Sequence, residues 1–292
     1  MAEHSSEPVL RAASRRIGAA WRRLLASPTR PLPASRPAFE RPAILLATYL
    51  IPSLLIMFSA DLALGLWMRD FPESLKPGAE RITLLGEGVE VLVTSGLILI
   101  AGLFLPYSCM ARRFRAGIHA VMVGAGFVFL AVAGGGLVAL FTKYLVGRAR
   151  PLLLDEHGHL AFHPFAWHSD FAAFPSGHSA TAGAMALALA LVFPRWRAGL
   201  IAIGALICIS RQLVGMHWPS DTLMGWGVGI GFTYWLAHVF ARRGLLFRYD
   251  EEGFLRRHPA RIGHLFAGLA RDMRLTSARA RRWNQPLGRP RS

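Results

Sequence analysis

The sequence predicts an all-α protein, a polytopic membrane bundle of six transmembrane helices. Three observations lead there. Of the 292 residues, 53% are hydrophobic and 17% charged, a balance too apolar for an ordinary soluble domain. The apolar residues collect in six blocks, at 42–60, 88–105, 117–142, 178–193, 198–216 and 222–240, and crossing hydrocarbon takes roughly 20 of them. If every block crosses, 26 of the 33 Lys and Arg fall on one side and 7 on the other. Cytoplasmic segments carry such an excess, so both termini are expected in the cytoplasm.

Residues 1–41 read as a basic cytoplasmic leader. Ile17, Trp21, Leu24 and Leu25 recur at helical spacing, with Arg15, Arg16, Arg22 and Arg23 elsewhere on the wheel. That is the pattern of a helix lying on a membrane surface; a disordered basic leader is the competing reading. No small-residue cleavage pattern follows the first block, so it is expected to stay as an anchor.

Residues 61–87 connect the first two blocks on the outer side, where Phe71-Pro72 and Lys76-Pro77-Gly78 fit a short interfacial helix. Glu87 and Glu90 open the second block. A water-satisfied interfacial position is expected for them, with pairing to nearby cations as the alternative. Arg112, Arg113 and Arg115 mark the next loop as cytoplasmic, as do Arg195 and Arg197 between blocks four and five. The third block is long, and Gly134, Gly135 and Gly136 within it serve packing or a bend. Residues 143–177 form a long outer connection expected to shape a pocket mouth. The fourth block is short, with 171–177 extending it into the interface.

The sixth block holds Gly225, Gly227, Gly229 and Gly231, two overlapping Gly-x-x-x-Gly pairs that permit close helix approach. Residues 42–240 are thus one membrane domain. Residues 241–292 form an Arg-rich cytoplasmic tail in which Ile262, Leu265, Phe266 and Leu269 share a helical face and 279–292 reads as disordered. The net charge of +16 could suggest nucleic acid. Here the basic residues follow topology, so the expected partner is the lipid bilayer, and no nucleic acid. Nothing in the chain indicates an oligomeric state. Cys109 and Cys208 carry neither a disulfide expectation nor a metal-ligand pattern.

Three motifs carry chemistry, and counting spans puts all three at the outer face. Lys143 ends span three, with Arg150-Pro151 just beyond. Pro175-Ser176-Gly177-His178 opens span four. Ser210, Arg211 and His217 close span five, and Asp221 opens span six. Lys143, Arg150 and Arg211 supply the positive charge that a phosphate ester needs, with arginine adding bidentate donors. Ser176 and Gly177 sit at a helix start, whose free N–H groups bind anions; Gly177 allows close approach, and the Ser176 hydroxyl adds a donor.

His217 with Asp221 four residues on suggests a carboxylate holding one ring nitrogen while the other attacks phosphorus. His178 is then the group that protonates the leaving oxygen and later deprotonates water. The cations already neutralise phosphate, so no metal and no other cofactor is expected. His157, His159, His163 and His168 raise the thought of zinc, but lack a Cys partner or fixed helical spacing. Arg148 is expected to touch a headgroup or face water.

The combined pattern Lys-x6-Arg-Pro, Pro-Ser-Gly-His, Ser-Arg-x5-His-x3-Asp resembles the three-part signature of the type 2 phosphatidic acid phosphatase superfamily, at all eleven positions and in order. The resemblance covers about residues 42–240 and is similar to the family's integral membrane lipid phosphatases. It implies metal-independent hydrolysis with the roles just given to His217, His178 and Asp221. Its implied substrates are phosphorylated membrane lipids: phosphatidylglycerol phosphate, undecaprenyl pyrophosphate, phosphatidic acid or lipid A phosphate. It also implies a bacterial inner membrane with the site facing the periplasm. A lipid-to-lipid phosphotransferase and a non-catalytic lipid- or anion-binding membrane protein are the rival readings.

Overall fold

The computed structural model describes residues 7–107 and 110–258. The expectations for the 262–269 face, the 279–292 tail and Cys109 fall outside them. The described chain is mostly helical. In order come α1 (Glu7–Leu25), α2 (Pro42–Ser59), α3 (Asp61–Arg69), α4 (Lys76–Leu84), α5 (Val89–Phe104), α6 (Arg112–Val146), α7 (Leu154–His157), α8 (Gly177–Val192), α9 (Arg197–Leu213) and α10 (Pro219–Arg242). A two-stranded antiparallel hairpin follows, β1 (Phe247–Tyr249) and β2 (Leu255–Arg257).

Each apolar block therefore becomes a helix. Among the described residues, four helical stretches are long and apolar enough to cross a membrane: Pro42–Ser59, Lys76–Phe104, Phe114–Val146 and Pro194–Leu213. Gly177–Val192 is apolar but shorter. The remaining helix, α10, is rich in glycine and carries His238. Both α8 and α10 are largely buried among the other helices, so neither needs a fully apolar surface. The stretches that face outward do. Leu55 and Phe58 of α2, Leu97 of α5 and Phe141 of α6 are all exposed, an apolar belt that water would not tolerate at this extent.

The bundle is organised around α8, which packs against α6, α9 and α10. Its small residues allow this. A Cβ added at Gly229 would lie 2.1 Å from the Ala180 carbonyl oxygen, and one at Gly225 would lie 2.3 Å from that of Ser176. The 225/229 pair is thus the face on which α10 lies against the backbone of α8. Gly227 turns instead to Tyr49 of α2, and Gly231 faces open space. In α6, Gly134 receives the Phe232 ring and Gly135 faces Ala184, so this run serves packing. The main apolar core lies toward the ends of α6, α8 and α10 nearer the hairpin, around Phe127, Val132, Phe240 and Phe247.

Two elements differ from expectation. Residues 61–87 hold two short helices, α3 and α4, in place of one, with a left-handed Gly88 separating α4 from α5. And α6 runs 35 residues, about 52 Å at 1.5 Å per residue, well past the expected 117–142. It ends where Gly147 takes φ 64° and donates to the Lys143 carbonyl; a side chain there would strike the His163 backbone. At the opposite end, α1 lies against α5: Arg16 donates to the Leu103 carbonyl and stacks over Tyr107. Ile17, Trp21 and Leu25 remain exposed.

Candidate active site

Helix ends build the site. Lys143 stands in the last turn of α6, Arg211 in the last turn of α9, and His178 in the first turn of α8. The 147–176 connection supplies Arg150. It is a folded cover held by main-chain bonds: His163 N donates to Gly147 O (2.7 Å), Ala149 N to Ala161 O (2.9 Å) and Ala173 N to Arg148 O (3.0 Å). Arg150 is fixed by its own Nε–H on the Ser169 carbonyl (2.9 Å).

The three signature segments meet. His178 lies within Coulombic reach of Arg211, His217, Arg150 and Lys143, and His217 within reach of Arg150 and Arg211. Arg211 reaches Thr83 of α4 through Nη1 (3.1 Å), so the outer helices help hold it. Residues 217–221 form the turn into α10 and its first turn. Pro219 occupies the first helical position, where its missing N–H costs nothing. Asp221 caps that helix by accepting the Trp218 N–H at 2.8 Å. The Ser176 N–H donates to the Asp221 carbonyl (3.0 Å), joining the start of α8 to the start of α10.

Several expectations are corrected. The bond that orients His217 comes from the Ala173 carbonyl, 2.9 Å from Nδ1. The nearest Asp221 oxygen is 3.7 Å away, longer than a hydrogen bond. A carbonyl can only accept, so Nδ1 carries the proton and Nε2 keeps its lone pair. Asp221 acts on the ring through space. The Ser176 hydroxyl oxygen accepts from the Ser179 N–H (3.4 Å) and hydroxyl (3.1 Å) as the N-cap of α8, and the residue is fully buried. Space around Gly177 is open, and the first N–H groups of a helix have no intrahelical acceptor.

Glu87 does not simply face water: Oε1 lies 3.9 Å from His178 Nε2, and Arg211 feels its charge. The loop histidines form no metal cluster among the described residues. His157 and His163 pack edge-on to Phe171 at 5.4 and 4.4 Å, and the His159 carbonyl accepts from Arg148.

Arg148 is the largest departure. It neither touches a headgroup position nor faces water; its side chain is fully buried. It donates to Asp221 Oδ1 (2.6 Å), Asp61 Oδ2 (2.9 Å) and Ser220 Oγ (2.7 Å) and lies over the Trp218 ring at 5.4 Å. Sequence reasoning missed Asp61 altogether. Its signal was present: a lone acid flanked by apolar residues on both sides, the kind that is costly unless used.

Burial depresses the His217 pKa from its ordinary 6.5; Asp221 opposes this, and Arg150 and Arg211 add to it. The imidazole is therefore neutral at pH 7. Beside it opens a cavity of about 210 Å³ with Gly65, Met68, Leu152 and Val214 in its wall and Arg69 and Lys76 among its lining. Arg69 is held there by a bidentate pair with Asp155.

This arrangement, with fixed cations around two imidazoles at a helix start, is what a phosphate ester requires. A profile described as the PAP2 superfamily matches residues 124–245. The lipid A 1-phosphatase of Rhizobium johnstonii is 38% identical over 185 residues, covering 63% of this chain and 75% of that protein. The chain belongs to the PAP2 superfamily. A lipid A 1-phosphatase of Rhizobium etli is 36% identical, covering 63% of this chain and 79% of its own length. Among solved structures, a transmembrane PAP2-type phosphatidylglycerolphosphate phosphatase from Bacillus subtilis aligns with TM-score 0.48 and 22% identity, over 68% of this chain and 95% of its own.

Proposed function

We propose that this chain is a bacterial inner-membrane lipid phosphatase that crosses the bilayer six times, keeps both termini in the cytoplasm and hydrolyses its substrate on the periplasmic side through a phosphohistidine. As a member of the PAP2 superfamily it is a hydrolase acting on lipid phosphate esters. Residues 42–240 are the catalytic membrane domain, flanked by the basic leader and the Arg-rich tail. The observation that carries this reading is the meeting of Lys143, Arg150 and Arg211 with His178 and His217 at one end of the bundle.

Phosphate sits among the three cations and the N–H groups at Gly177. His217 Nε2, freed by the Nδ1 bond to Ala173, attacks phosphorus; the bond from phosphorus to the lipid oxygen breaks, and His178 supplies that oxygen with a proton. His178 then takes a proton from water, which attacks the phosphohistidine and releases phosphate with neutral His217. Positive charge around the equatorial oxygens stabilises the transition state, and no metal takes part. The short loops with Arg115, Arg195 and Arg197 support the outer placement of the site.

The name shared by both rhizobial relatives favours lipid A carrying a 1-phosphate as substrate over phosphatidylglycerol phosphate, undecaprenyl pyrophosphate and phosphatidic acid. The test is phosphate release by purified protein from these four lipids, with and without EDTA. Fastest release from lipid A, unchanged by EDTA, is expected. Transfer of phosphate to a second lipid in place of water would make the chain a phosphotransferase. His217→Ala and His178→Ala should each lower turnover by about 10³-fold or more.

A further inference from the structure

A second charged cluster adjoins His217 through Asp221, whose Oδ2 is 3.7 Å from Nδ1, and its members Arg148 and Asp61 take no part in the steps above. Asp61, Arg148 and Asp221 all have fully buried side chains. One guanidinium bridges the two carboxylates, at 2.9 Å to Asp61 and 2.6 Å to Asp221. Asp61 is held in turn by the Ser220 N–H (3.1 Å) and hydroxyl. The link spans the fold, from the first residue of α3 through the connection after α6 to the first turn of α10.

The charge count matters. Arg148 and Asp221 alone would cancel, leaving nothing to oppose the positive charge that the His217 ring acquires when Nε2 bonds phosphorus. With Asp61 the cluster carries one net negative charge, delivered through Asp221, whose Oδ2 stands 3.7 Å from His217 Nδ1. The other charges acting on His217 are cationic, Arg211 of α9 and Arg150 of the outer connection. Arg69 and Lys76, which line the adjoining cavity, are paired with Asp155 and Glu73; Asp170 lies near Arg150, and Glu87 lies against His178. His178 of α8 completes the surroundings.

We propose that Asp61 is a positioning residue for the reaction: by sharing Arg148 it keeps Asp221 anchored and a net negative charge beside His217. This rests on His217 being the nucleophile. The probe is Asp61→Asn, which keeps the shape and removes the charge. Turnover should fall about 10- to 100-fold, the size expected for removing one buried charge, with KM little changed. The acid limb of kcat/KM should move to lower pH, because the imidazolium has lost an anion that favours it. Asp61→Asn/Arg148→Met restores the net charge of the cluster, so its limb should return toward that of the unaltered enzyme.

Folding is followed by thermal melting in detergent. If Asp61→Asn alone does not fold, the double variant decides: recovery of the fold and of the limb supports the proposal, and failure of either overturns it. A folded Asp61→Asn with normal turnover and limb also overturns it. These results are separate from the phosphatase reading, which fails only if the unaltered protein releases no phosphate from any of the four lipids or His217→Ala stays active.

Discussion

The proposed nucleophile, His217, takes its protonation state from what surrounds it. Burial and two arginines hold its pKa below 6.5, against the pull of Asp221. A group with a depressed pKa is neutral, and thus nucleophilic, down to a lower pH than a free histidine. The acid limb of kcat/KM, measured on a substrate whose phosphate ionisation is known, should therefore lie below pH 6.5 and disappear in His217→Ala. Arg148 belongs to the same scale. Arg148→Gln leaves two buried carboxylates facing each other without a cation. Loss of one partner from a buried ion pair costs about 3–5 kcal/mol, so chemical denaturation in detergent should show a loss of that size together with loss of phosphate release. Exposed pairs such as Lys76 with Glu73 contribute far less.

The pairing of α8 with α10 decides whether the site assembles. The Ser176 N–H and the Asp221 carbonyl are 3.0 Å apart because glycines let the two backbones touch. In Gly229→Leu the new Cβ would sit 2.1 Å from the Ala180 carbonyl oxygen, and backbone cannot move aside as a side chain can. Overpacking of this kind costs about 1–3 kcal/mol; melting should drop and phosphate release should fall sharply as the two helix starts separate. Gly231→Leu, pointing into open space on the same helix, should keep both. The helices themselves were legible in the apolar blocks, and so was the Gly-x-x-x-Gly face. Which of the two overlapping pairs meets α8 was not legible, since spacing alone cannot say which way a helix is turned. The boundary near Gly88 was legible, since the second apolar block begins there; the left-handed turn was not, because only the fit of Gly88 against Thr181 shows why the backbone must bend.

For the whole molecule, the exposed apolar belt describes a protein set into a bilayer, and the proposed orientation keeps its basic loops inside. An added cysteine tests the orientation. In a background with Cys109 and Cys208 replaced by serine, Glu73→Cys should react with a membrane-impermeant thiol reagent in intact cells, whereas Arg195→Cys should react only after lysis. The opposite pattern would turn the site toward the cytoplasm. The leader helix α1, resting on α5 with Trp21 exposed, suits the inner surface, where anionic lipid attracts arginine.

What the sequence determined by itself was the set of helices, the end of the bundle at which three motifs gather, and the phosphate chemistry of their side chains. These follow from local hydrophobicity, from counting crossings and from functional-group chemistry, none of which needs distances. The tertiary structure decided the rest: the Ala173 carbonyl on His217, Glu87 beside His178, and Arg148 buried between Asp61 and Asp221. Those partners lie 44, 91, 87 and 73 residues apart along the chain. A hydrogen bond forms only within about 3 Å, and at such separations that distance is set by how closely helices pack, not by anything readable along the chain.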